Sequence, residues 1–194
     1  MSGRSLCTSN GDDVVYTPLP LARMIIEHFP ISGRVLDPAR GCGAFYDQLP
    51  DGCHKGWCEI SQGRDFFNEQ ETWDWIITNP PFSLLDDFMD KASSLAQNVV
   101  FLATLNQTTG LKTRNRIMKE AGMYLREEVL VDTPPEPWPQ SGLQLAAVHW
   151  STTPPEIDGY VKRTDLTSHV DMILPENSRK RHRKFFPPQN NVTA

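Results

Sequence analysis

The sequence contains no apolar run approaching the roughly twenty residues that a membrane-spanning helix needs. Its first residues, MSGRSLCTSNGDD, lack the apolar centre of a secretory leader, so an intracellular, cytoplasmic location is expected, or a nuclear one in a eukaryote. Cysteine is scarce: Cys7, Cys42, Cys53 and Cys58 are the whole set, and no two form a C-x-x-C pair. A structural zinc site takes four ligands, and Cys53, His54 and Cys58 supply three. No metal is expected, and the thiols read as reduced and structural. With 39% hydrophobic and 22% charged residues, the composition excludes a disordered or fibrous chain. The length of 194 residues points to one domain with a core of its own.

Charge of neither sign dominates, but it is unevenly spread. The net charge is −5, yet residues 177 to 194 hold Arg179, Lys180, Arg181, Arg183 and Lys184 and no acid. Setting those five charges aside leaves −10 for residues 1 to 176. The basic tail reads equally as an interaction arm and as a solvated, disordered terminus.

Residues 1 to 13 look like a flexible lead-in, 14 to 150 the main domain and 151 to 176 an extension in which periodicity fades. Helical spacing runs over 18 to 29, 83 to 97 and 111 to 122, the last ending at Gly122. GAFYDQL (43 to 49) also suits a helix. Strands are predicted at 33 to 39, 55 to 60, 73 to 79, 98 to 105, within 123 to 132, and at 143 to 150. Their alternation with helices predicts an α/β fold with a mainly parallel sheet and helices on both faces. Ligands of such sheets gather at the carboxyl ends of the strands. Asp37, Glu59, Asn79 and Asn106 all lie at or just after predicted strand ends and should share one edge.

Two stretches at that edge carry chemistry. TNPPFS (78 to 83) follows the apolar WDWII, and its double proline removes two backbone donors and fixes two φ angles. Pro80 also keeps Asn79 out of the helical region. The result is a stiff bracket presenting an amide and an aromatic ring. In DPARGCGAF (37 to 45), Gly41 and Gly43 let the backbone come close to a ligand between strand and helix. Glu59 stands 22 positions beyond Asp37, where an acid can take both ribose hydroxyls of an adenosine ligand. Asp65 and Phe66 could hold its adenine by hydrogen bond and stacking.

YTPLPLA (16 to 22), DPARGCGAF, the acid of CEI, RDFF (64 to 67) and TNPPF resemble, in order and spacing, the amino-methyltransferases dependent on S-adenosylmethionine. The resemblance covers roughly residues 14 to 150, and NPPF leans toward the N6-adenine branch. Arg40 and Cys42 depart from the family's more frequent residues without removing a glycine or an acid. The resemblance implies a Rossmann-like fold with S-adenosylmethionine at Tyr16, Thr17, Asp37, Pro38, Gly41, Gly43, Phe45, Glu59, Asp65 and Phe66. It implies a catalytic bracket of Asn79, Pro80, Pro81 and Phe82, in which the Asn79 oxygen and the Pro80 carbonyl accept the two N6 hydrogens. No cysteine follows a proline, as a cytosine-C5 nucleophile would.

The implied partner is nucleic acid, DNA before RNA, with the target base flipped out. Lys112, Arg114 and Arg116 are candidate phosphate contacts. Lys119 reads rather as a solvated helix residue, and Trp138 as a nucleotide stack or a packing residue. Only 33 residues separate Phe45 from Asn79, too few for a recognition domain, and about 44 follow Trp150. Sequence specificity is therefore expected to be low, loop-borne or supplied by a partner protein. An RNA adenine N6-methyltransferase, a protein-glutamine methyltransferase and a non-catalytic partner subunit remain the alternatives.

Overall fold

Strands with consecutive apolar residues need cover on both faces, and this chain supplies it with helices on either side of one sheet. The computed structural model describes residues 15–136, 138–157 and 159–166. The strands are β1 (Arg34–Asp37), β2 (His54–Trp57), β3 (Trp73–Thr78), β4 (Ala96–Thr104), β5 (Tyr124–Val131), β6 (Leu145–Ser151) and β7 (Lys162–Asp165). They lie in the order β2-β1-β3-β4-β6-β5-β7. Among the described residues only β6 runs against its neighbours, so the other described strands end on one edge. The helices are α1 (Leu19–His28), α2 (Leu85–Leu95) and α3 (Lys112–Glu120).

The two cores follow from strand alternation. Val35, Trp75, Ile77, Val100 and Leu102 meet the buried stripe of α1, which is Leu21, Ala22, Ile25 and Ile26. Their neighbours Leu36, Ile76, Val99 and Phe101 point the other way, onto Leu85, Phe88, Met89 and Ala92 of α2 and Met118 of α3. The chain passes from β1 outward to β2 and returns to β3 on β1's other side. That reversal opens a crevice between the carboxyl ends of β1 and β3, the point at which doubly wound sheets receive ligands.

Three segments differ from the sequence expectation. GAFYDQL forms only a single 3₁₀ turn, Tyr46–Gln48. Positive φ at Gly41 and Gly43 uses up its approach, and Pro50 closes the space for an α-helix. β2 stops at Trp57, and Glu59 pairs instead with Arg64 in an isolated bridge. β7, from the extension beyond residue 150, joins the sheet beside β5. Its residues KRTD carry no apolar alternation. They are matched by charge: Lys162 lies opposite Glu127 and Arg163 opposite Glu128, and both pairs close as ion pairs. Cys53 and Cys58 are free thiols, as expected, whereas Cys42 is disulfide-bonded and corrects that reading.

Candidate active site

The bracket after β3 is tied to the chain that precedes α1. Asn79 donates its side-chain Nδ2 to the Val15 carbonyl at 2.8 Å. That bond sets the amide's orientation, because the reverse placement would set oxygen against oxygen. The Asn79 Oδ1 is shut off from solvent and has no hydrogen-bond partner among the described residues. A buried acceptor left unmade costs about 1–3 kcal/mol. Pro80 is buried, and Phe82 is half-buried against the α2 core.

The glycine loop lies across the crevice. Gly41 and Gly43 have φ of +51° and +87°, a region side chains rarely enter. A Cβ on Gly41 would also come within 3.1 Å of the Tyr16 ring. The Gly41 N–H donates to Glu59 Oε2 at 2.8 Å, and Glu59 Oε1 accepts from the backbone and hydroxyl of Ser61. Burial alone would raise the Glu59 pKa, but the Ser61 and Gly41 bonds and the nearby Arg40 hold it below the usual carboxylate range. Glu59 therefore stands charged at neutral pH beside a loop that admits close approach. The next residue, Ile60, is 72% exposed.

Several of the expected contact residues are buried. Asp37 has no exposed surface; it lies under the loop and accepts hydrogen bonds from Thr78, Ala39 and Tyr46. Pro38 and Phe45 are likewise buried, Phe45 in the α1 core. Phe66 is 3% exposed and packs on Phe88 with ring centroids 5.0 Å apart, so its ring faces are not free to stack on a base. Its neighbour Phe67 is the exposed one. Asp65 keeps a partly open side chain while capping the turn at Phe67. Thr17 is buried, and Tyr16 is half-buried over the loop.

The expected nucleic-acid contacts divide. Lys112 is exposed. Arg114 is engaged with Asp86 of α2 and the Gln107 carbonyl, so it braces the loop after β4 rather than facing outward. Arg116 is exposed and pairs within its own helix with Glu120 at 3.8 Å. Trp138 is buried in the α1 core, which settles its two readings in favour of packing. The basic tail lies outside the described residues. Among the described residues no cluster of ligating side chains could hold a metal ion, and no helix is long and apolar enough to cross a membrane.

Sequence reasoning missed Val15, Thr78 and Ser61. The Val15 contribution is a backbone carbonyl and leaves no side-chain trace. Thr78 was visible as a polar residue closing an apolar strand beside Asn79.

No family model and no curated protein sequence matches the chain. Its fold does have solved counterparts. A putative class I S-adenosylmethionine-dependent methyltransferase from Listeria monocytogenes superposes with a TM-score of 0.57 at 12% identity, over 86% of this chain and 70% of that one. Magnesium protoporphyrin IX methyltransferase from Synechocystis, solved with bound S-adenosylmethionine, gives 0.50 at 11% identity, over 69% and 77%. Trm5b from Pyrococcus abyssi gives 0.50 at 14% identity, over 72% and 50%. The chain has the Rossmann-like class I methyltransferase fold.

Proposed function

We propose that the protein transfers a methyl group from S-adenosylmethionine to the N6 amino group of adenine in nucleic acid, with DNA as the favoured substrate. The observation that carries this reading is Asn79, whose nitrogen is tied to Val15 while its oxygen has no partner. An exocyclic amino group is the donor such an acceptor lacks. Adenine N6 is a poor nucleophile because its lone pair is delocalised into the ring. Hydrogen bonds from N6 to the Asn79 oxygen and the Pro80 carbonyl would localise that pair and aim it.

The sulfonium cofactor, when bound, supplies the electrophilic methyl. The methyl would pass from sulfur to N6, with the thioether as leaving group and the N6 proton released to solvent. The chain's part is positioning, which alone can carry much of such a reaction. The glycine loop and Glu59 fit the cofactor, as a close-approach backbone beside a charged acceptor of hydroxyls. Ile60 and Phe67, rather than Phe66, offer apolar surface for its adenine. Phe82 would stack on the target base.

Single-turnover transfer to adenine-containing DNA and RNA, followed by digestion and identification of the modified nucleoside, tests the reading. Asn79→Ala is expected to lose about a hundredfold or more in rate, the scale for a preorganised polar contact at the reacting atom. Its cofactor affinity by calorimetry should stay near wild type. Equal rates for Asn79→Ala and wild type would return TNPPF to a rigid loop.

A further inference from the structure

The residue just before the bracket does something the bracket itself does not explain. Thr78, the last residue of β3, is fully buried, and its hydroxyl donates to Asp37 Oδ1 at 2.8 Å. The same Oδ1 accepts from the Ala39 N–H at 3.3 Å, and Asp37 Oδ2 accepts from the Tyr46 N–H at 3.2 Å. One carboxyl thus gathers the ends of β1 and β3 and both flanks of the glycine loop. A second connection runs above it. The Tyr16 ring covers Gly41, and the adjoining Val15 carbonyl holds the Asn79 amide. The two connections make a closed ring from the glycine loop through Tyr16, Val15, Asn79, Thr78 and Asp37 and back to the loop.

Thr78 and Asp37 are both fully buried, so breaking the bond between them would leave a buried polar group unmade, at a cost. We infer that the ring couples the two sites, with Thr78 as a positioning residue. Filling the cofactor loop then sets the Asn79 acceptor for an adenine, and adenine binding tightens the cofactor in turn. Reciprocity follows from linkage, and couplings of this kind typically span about 5–150-fold. The inference rests on the N6-adenine reading and adds to it the dependence of one site on the other.

The test uses the full chain with S-adenosylhomocysteine and a single-stranded oligonucleotide carrying one adenine. Oligonucleotide affinity is measured with and without saturating S-adenosylhomocysteine, alongside single-turnover methyl transfer. Wild type should bind the oligonucleotide about fivefold or more tightly when S-adenosylhomocysteine is present. Thr78→Val, which removes the hydroxyl and keeps the shape, should reduce that gain below about twofold and slow transfer. Thr78→Ser, which keeps the hydroxyl, should retain most of both. A contact that merely stabilised the fold would lower the melting temperature in Thr78→Val and leave the affinity ratio alone. Should Thr78→Val fail to fold, the wild-type ratio still decides, since an affinity unchanged by S-adenosylhomocysteine overturns the coupling. Adenine methylation by a wild type that shows no gain overturns the coupling and leaves the N6 reading standing, as does a full gain in Thr78→Val. A wild type that binds both ligands yet methylates no adenine overturns the N6 reading, and the coupling with it.

Discussion

Asp37 is enclosed on every side, and its surroundings decide how it titrates. Burial pushes its carboxyl up from the ordinary 3.8 to about 7, while the Thr78 hydroxyl, the Ala39 and Tyr46 N–H groups and the Arg40 charge keep it from rising further. The folded state therefore holds this proton more tightly than the unfolded chain does. The stabilisation is complete below about pH 4 and is lost as pH rises through about 7. Asp37→Asn removes the titration and, at worst, adds a constant penalty from donors facing the new amide. Denaturant unfolding across a pH series should show wild type losing stability relative to Asp37→Asn between pH 4 and 8. A difference that stays level over that range would mean that Asp37 does not titrate there.

At the scale of elements, β7 is held to the sheet by charge more than by apolar cover. Its residues are mostly exposed, while the acids they meet are not: Glu128 is 6% exposed and also accepts from the Thr109 hydroxyl. Removing Arg163 leaves that carboxylate without its cation in a poorly solvated place. Arg163→Ala should cost about 1–3 kcal/mol, below the usual figure for a broken buried pair because the Arg163 side chain is itself 61% exposed. Adding Glu128→Gln should recover part of the loss, as read by urea unfolding, and no recovery would assign the effect to packing. The same strand shows which parts of the fold were legible in the sequence. WDWII and NVVFLA announce β3 and β4 because consecutive apolar residues have few other uses. KRTD announces nothing, because its partners lie on β5, some 35 positions upstream. The bracket and the glycine loop were legible because proline and glycine dictate backbone locally. That Asp37, Phe45 and Phe66 are covered was not, since cover is supplied by Thr78, α1 and Phe88 from elsewhere in the chain.

For the whole molecule, the direction of β7 has a consequence for charge. β7 runs parallel to β5, so Asp165 lies beside Leu130 and Leu166 donates its N–H to the Leu130 carbonyl. β7 therefore ends at the same edge as Asp37, Thr78 and Thr104. Residues 1 to 176 are acidic, at −10, and the five cations of Arg179 to Lys184 follow in sequence. An acidic body repels a polyanion. Among the expected phosphate contacts, Arg114 is committed to Asp86 and Arg116 to Glu120, leaving Lys112 exposed. The tail carries five cations and no acid, so it is the segment of the sequence best supplied to neutralise phosphates. Truncation after Leu166 is expected to weaken nucleic-acid binding similarly for all sequences. It should also flatten the dependence of log K on log salt by up to about five counterions. Cofactor affinity should not change. Binding titrations over a range of salt concentrations, with full-length and truncated protein, decide the matter. An unchanged slope would mean that the tail's charges face solvent, and that the strand is held at the bracket by stacking and base contacts alone.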